Sequence, residues 1–193
     1  MNIPPLYILR HGQTEWNATH RIQGGLDSNL TELGQAQAQQ QREILGGCDL
    51  TGFDALCSPQ GRAFHTASIA VQGLVPAIRT DDRLVEIGVG KWEGISRTEL
   101  LADWTPDESE ESALALYDAA PGGEGFAGLH TRCHSFLSSL KGPAVLITHG
   151  ITSRMLRLII LGRDISEIGD LPGGQGVVYH MKDATQKQLT IGG

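Results

Sequence analysis

The sequence predicts an α/β fold, a three-layer sandwich with a mostly parallel central sheet flanked by helices and a small helical lid insertion. Three observations lead there. Short apolar runs alternate with stretches of helical periodicity, 193 residues suffice for one domain with a full core, and the apolar runs break abruptly at polar or cationic residues beside glycine. The whole chain, 1–193, reads as one domain, with 95–125 as a lid or insertion within it.

The first run, Leu6-Tyr7-Ile8-Leu9, is β-prone and ends at Arg10-His11-Gly12, as a strand entering a loop does. Thr31 can cap a helix whose Leu33, Ala36, Gln40 and Ile44 share one face, and Gly46-Gly47 stop it. Residues 53–58 read as a strand, 59–61 as a turn, and 62–71 as a helix ending before Gly73. The acidic stretch 98–119 reads as helical, connecting two halves of the core rather than belonging to it.

Phe126, Leu129, Cys133, Phe136, Leu137 and Leu140 recur at three and four residues, a helical stripe closed by Gly142-Pro143. The run 144–147 is continuously apolar, as a buried parallel strand requires, and ends at Thr148-His149-Gly150. A helix over 151–161 follows, and 177–181 and 188–191 are expected as last strands at the sheet edge.

Composition narrows the function. A net charge of −7 without a Lys/Arg-rich run speaks against nucleic acid and anionic membrane as partners. No apolar run approaches the length of a membrane span and no basic leader opens the sequence, so a cytoplasmic protein is expected. Cys48, Cys57 and Cys133 are odd in number and lack C-x-x-C spacing, which argues against a disulfide framework and a zinc site.

In a parallel α/β sheet, ligands sit beyond the carboxyl ends of the strands, near helix N-termini that attract anions. Arg10, His11, Arg62 and His149 all fall at or just after such ends. A neutral imidazole is a competent nucleophile toward phosphorus, and arginine forks match phosphate oxygens.

Arg10-His11-Gly12-Gln13-Thr14-Glu15-Trp16-Asn17 resembles the signature of the histidine phosphatase superfamily, which includes the phosphoglycerate mutases and related phosphatases. Further blocks resemble family motifs in the family's order. They are Arg21-Ile22-Gln23-Gly24 with Asp27 and Leu30-Thr31, Ser58-Pro59-Gln60-Gly61-Arg62-Ala63 with Thr66-Ala67, Glu86 with Gly90-Lys91-Trp92-Glu93-Gly94, and Thr148-His149-Gly150.

The resemblance implies a phosphomonoester hydrolase acting on a small phosphorylated metabolite through a phosphohistidine on His11. Arg10, Arg62 and His149 would hold the transferring group and Glu86 would donate a proton to the leaving oxygen. Asn17, Gln23 and Gly150 would line the phosphate site. No metal or cofactor is implied. The expected partner is a small phosphate ester, with a homodimer left open.

Competing chemistries fit less well. Cys57 and Arg62 have four residues between them, where the loop of cysteine-dependent phosphatases has five. No H-x-D or H-E-x-x-H pattern offers metal ligands, and Gly88-Val89-Gly90-Lys91 lacks the full spacing of a nucleotide loop. Phosphoglycerate mutase-type transfer and a non-catalytic phosphate-binding module are the alternatives. Mutases resemble one another in basic residues after the catalytic Glu and a longer insertion, whereas Ile87-Gly88-Val89-Gly90 follows Glu86 here. Glu99, Asp103, Asp107, Glu108, Glu110, Glu111, Asp118 and Glu124, against Arg97 alone, are expected to repel ligands with several negative groups and to favour an ester with a neutral or weakly charged remainder.

Overall fold

The computed structural model describes residues 3–103 and 110–191, so the part of the expected lid at 104–109 lies outside the described residues. In chain order the elements are β1 (Leu6–Arg10), α1 (Glu15–Ala18), α2 (Glu32–Gly46), β2 (Asp54–Cys57), α3 (Gly61–Ala70), β3 (Ile78–Thr80), α4 (Arg97–Asp103), α5 (Glu110–Asp118), α6 (Gly125–Ser139), β4 (Ala144–Thr148), α7 (Gly150–Leu161), β5 (Val178–Lys182) and β6 (Thr185–Leu189). The six strands form one sheet in the order β3-β2-β4-β1-β5-β6. β3, β2, β4 and β1 are parallel neighbours, and β5 and β6 are antiparallel.

Alternation along the strands produces the three layers, because successive side chains face opposite sides of a sheet. Leu6, Ile8, Ala144 and Leu146 join Leu129, Cys133, Phe136, Met155 and Leu156 of α6 and α7 in one core. Tyr7, Leu9, Val145 and Ile147 meet Ile44, Leu45, Ala63, Ala67 and Ala70 of α2 and α3 in the other. All five residues of β4 are buried, consistent with a central strand covered on both faces.

Three local expectations change. Thr31 does cap α2, accepting from Gly34 N, but the buried face is Gly34, Ala38, Gln41, Ile44 and Leu45, while Leu33 is 53% exposed. The cause is a backbone approach: a Cβ on Gly12 would stand 2.1 Å from Gly34 O, and one on Gly34 would stand 2.0 Å from Gln13 O. That contact turns the glycine, not Leu33, toward the sheet. The second change is β3, an edge strand with exposed Arg79 and Thr80 that offers no apolar run to read. Third, α5 puts Leu114 and Leu116 into the first core, so the insertion contributes to packing as well as connecting.

The last two strands start and end within a few residues of their expected positions and close as a hairpin through Asp183 and Ala184 at φ 50° and 54°. Two successive left-handed residues match the twist of the flanking strands. Among the described residues, no helix is long and apolar enough to cross a membrane.

Candidate active site

Parallel register brings three strand ends to one edge. His11 N donates to Thr148 O at 2.9 Å, and Ser58 N donates to Ile147 O at 3.0 Å. Arg10-His11 after β1, Ser58 leading into α3 with Arg62 on its first turn, and His149 before α7 therefore share one rim. The His11 and His149 rings stand edge to face with centroids 5.2 Å apart. Both are buried, as is Arg62.

The His11 ring has one nitrogen committed. Its Nδ1 lies 2.7 Å from Gly12 O, an acceptor only, so Nδ1 carries the hydrogen and Nε2 keeps its lone pair. Burial, followed by the neighbouring Arg10 and Arg62 charges, holds the His11 pKa well below the ordinary histidine value. The nucleophilic form is thus present at neutral pH. Gly12 N in turn donates to Thr66 Oγ1 at 3.0 Å, which ties the loop to α3.

Ser58, which the sequence singles out only as part of a motif, fixes the other imidazole. Its Oγ accepts from Gln60 N at 3.2 Å and lies 2.8 Å from His149 Nε2. Gln60 Oε1, which accepts from Glu86 N at 2.8 Å, stands 3.5 Å from the same hydroxyl. His149 Nδ1 is a buried atom without a hydrogen-bond partner among the described residues. Burial is the main cause that holds the His149 pKa well down, with Arg62, His11 and Arg10 adding to it. In the tautomer with its hydrogen on Nδ1, the neutral ring can donate to a bound oxyanion.

Arg62 is braced from behind. Its Nη1 donates to Leu26 O at 2.6 Å and Asp27 Oδ1 at 3.0 Å, its Nη2 to Gly24 O at 3.1 Å, and Nε is buried and unpartnered among the described residues. Asp27 also accepts from Arg62 N, so one carboxylate sets both the helix start and the side chain. Arg10 is held by close packing: a Cβ on Gly150 would lie 3.4 Å from Arg10 Cζ and 3.6 Å from Glu86 Oε2. Its Nε is likewise buried without a partner among those residues. Burial lowers the Arg10 pKa, and Glu86 opposes the shift. Orphaned buried donors cost about 1–3 kcal/mol each. An oxyanion would satisfy all three of these orphans.

Glu86 reaches the same rim from the loop before the residue pair Ile87 and Val89, which are both wholly buried in the core. Its Oε1 accepts from Ile87 N and Thr152 N, each at 3.0 Å, and shares the Thr152 hydroxyl proton with the nearer Val85 O, while its Oε2 accepts from Ile151 N at 3.2 Å. The first turn of α7 thus grips the carboxylate, as the positive end of a helix favours.

Of the expected neutral donors, Asn17 commits its Oδ1 to Thr14 N at 3.2 Å and Gln175 Nε2 at 3.3 Å, leaving Nδ2 to donate. Gln23 is buried and its Oε1 accepts from Ser28 Oγ at 3.1 Å. Gly150 fills a spacing role against Arg10. Sequence reasoning missed Ser58, Thr152, Gln175 and Gln41, whose Nε2 donates to Arg10 O and Val177 O. The signal for Ser58 was its position immediately after a strand end; the two glutamines carried none. Cys57, at the buried end of β2, has its thiol pushed up to about 12 by burial, which suits a packed thiol and not a nucleophile.

Comparison with known proteins gives a family match and related structures over nearly the whole chain. The family profile described as histidine phosphatase superfamily (branch 1) matches residues 6–189. A relative from Salmonella choleraesuis (strain SC-B67) named "Probable phosphoglycerate mutase GpmB" is 35% identical over 167 residues, covering 81% of this chain and 74% of the relative. A solved mycobacterial glucosyl-3-phosphoglycerate phosphatase, in complex with VO3, superposes with a TM-score of 0.79 at 28% identity, covering 96% of this chain and 97% of the other. A solved protein from Thermus thermophilus, TTHB049, superposes with a TM-score of 0.71 at 32% identity, covering 97% and 99% of the two chains.

Proposed function

The chain belongs to branch 1 of the histidine phosphatase superfamily, and from that premise we propose that it hydrolyses a small phosphomonoester through a phosphohistidine on His11. The observation that carries the reading is the pair of buried imidazole rings 5.2 Å apart, with Arg10 and Arg62 both close enough to depress their protonation. The His11 Nε2 lone pair attacks phosphorus in line, forming the N–P bond as the ester P–O bond breaks. Glu86 gives a proton to the departing oxygen. It then takes one from the water that attacks phosphohistidine, and release of inorganic phosphate restores both residues.

Phosphoryl transfer depends mainly on positioning and charge stabilisation. Arg10, Arg62, the His149 Nδ1–H and the Asn17 and Gln23 amides supply donors around the equatorial oxygens. Loss of one such donor elsewhere costs ~2.7–4 kcal/mol of transition-state stabilisation. Neither imidazole has to change protonation before substrate arrives.

Phosphoglycerate mutase chemistry is the second reading, supported by the name of the 35%-identical relative. Against it, Ile87 and Val89 after Glu86 are core residues and put no cation over the site. We place the enzyme in the cytoplasm, where the free thiols of Cys48, Cys57 and Cys133 would stay reduced.

The test is turnover of a phosphomonoester panel without metal, with His11→Ala as the blank. Hydrolysis that falls by about 10³-fold or more in the variant is expected. Interconversion of phosphoglycerate isomers faster than phosphate release would favour the mutase reading, and turnover surviving in His11→Ala would defeat both.

A further inference from the structure

Arg154 lies one helical turn beyond Gly150 on α7, on the face that sets Gly150 against the Arg10 guanidinium and Glu86. We propose that Arg154 is the second anion-binding group of the site, and that the substrate is a phosphomonoester whose leaving portion carries a further carboxylate or phosphate. The proposal rests on the phosphatase reading above and names its substrate class. Four residues of helix place Arg154 about 6 Å along the axis from Gly150, the span of a few covalent bonds beyond the ester oxygen.

Arg154 is built into its position. Its Nε donates to Leu171 O at 2.8 Å, and its terminal amine lies 2.8 Å from where a Cβ on Gly173 would stand, so only glycine leaves room there. The same loop is clamped by Arg157 Nη2 on Pro172 O at 2.7 Å and by the Tyr179 hydroxyl on Pro172 O at 3.1 Å and Gly173 O at 2.5 Å. A guanidinium aimed by such a frame binds a planar or tetrahedral anion with little further ordering.

Its charge is not used inside the fold. Among the described residues Arg154 makes no ion pair, although it is half-buried and lies close enough to Arg10 to disfavour that residue's charge. Half-buried Tyr117 joins the group from α5, sensing Arg154, Arg10 and Glu86, with Arg97 5.8 Å from its ring. Glu86 is the carboxylate of this cluster and is tied to α7. An anion on the leaving side would relieve the repulsion between the guanidinium groups.

Three of the eight acidic residues counted against this are engaged within the fold. Asp118 accepts from Phe126 N at 2.6 Å, Glu124 takes both Arg132 Nε and Nη2 at 2.7 Å, and Glu99 accepts from Ser96 N at the start of α4. The side chains of Asp103, Asp107, Glu108, Glu110 and Glu111 lie outside the described residues. The expectation of a neutral remainder counted Glu99, Asp118 and Glu124, which have partners within the fold.

The experiment compares kcat/KM on matched esters that differ in one anion. Glycerol 3-phosphate is set against 3-phosphoglycerate, and propanediol monophosphate against propanediol bisphosphate. The native protein is expected to prefer the doubly anionic member of at least one pair by about 10-fold or more, the worth of one charge-assisted hydrogen bond. Which pair shows it identifies the second anion as carboxylate or phosphate. Arg154→Gln should bring that ratio close to one, chiefly through KM, and Arg154→Lys should retain part of it. Because each ratio is taken on one protein, a general folding loss cancels. No native preference, or a ratio unchanged in Arg154→Gln, overturns the proposal. If the native protein hydrolyses none of these esters, the same ratios are read from calorimetric affinities, so that an absence of turnover is told apart from an absence of anion preference.

Discussion

Two imidazoles of the same residue type take opposite roles here because their partners differ in kind. A carbonyl can only accept, so Gly12 O leaves His11 Nε2 with a lone pair; Ser58 Oγ, which accepts from Gln60 N, meets His149 at Nε2 and leaves the buried Nδ1 of that ring without a partner among the described residues. If the unpartnered Nδ1 of His149 is the donor to an oxyanion, nitrogen-15 spectra of the native protein should show its hydrogen on Nδ1, with neither ring protonating near pH 6.5, since burial and two arginines hold both pKa values well down. Ser58→Ala should mix the tautomers and lower kcat about 10-fold, the equivalent of ~1.4 kcal/mol. A His149 signal with its hydrogen on Nε2 would contradict the assignment. Between the depressed folded values and about 6.5 the unfolded chain binds protons that the folded chain refuses. This contribution is present above about pH 6.5 and is lost as pH falls toward the folded values.

At the scale of elements, strand ends are legible in the sequence and helix faces less so. β1 and β4 stand out as continuous apolar runs stopped by Arg10-His11 and Thr148-His149, because a central strand must be apolar on both faces while its end meets ligand. The face of α2 escapes such reading because the decisive contact is between backbones at Gly12 and Gly34, which hydrophobic periodicity cannot register. β3 escapes it since an exposed edge of three residues needs no apolar pattern. The glycine contact yields its own prediction. Gly12→Ala would drive a Cβ into Gly34 O and force α2 off the site loop, an overpacking cost of about 1–3 kcal/mol or more. For a chain of this size each kcal/mol moves Tm by roughly 2–4 °C. Thermal unfolding should register that loss, and an unchanged Tm would show that the loop can yield.

Across the whole molecule, parallel topology delivers groups from residues 10 to 149 to a single sheet edge, and α5 packs Leu114 and Leu116 into the core. Sequence reading points to Arg10, His11, Arg62 and His149 because cationic and imidazole groups at or just after strand ends suit an anion, and to Glu86 through the family resemblance alone. They cannot identify Gln41 or Gln175, amides distant in sequence that meet the site only after folding. Nor can a count of acidic residues foresee that Asp118 and Glu124 are spent on Phe126 N and Arg132. All of this organisation converges on one atom, His11 Nε2. The most direct measurement is therefore rapid quenching of the native protein after brief exposure to an aryl phosphate, with phosphate located by peptide mapping. Acid-labile, base-stable phosphate on His11, approaching one per chain and absent from His11→Ala, is the predicted result. Phosphate release without any such species, or phosphate on another residue, would contradict it.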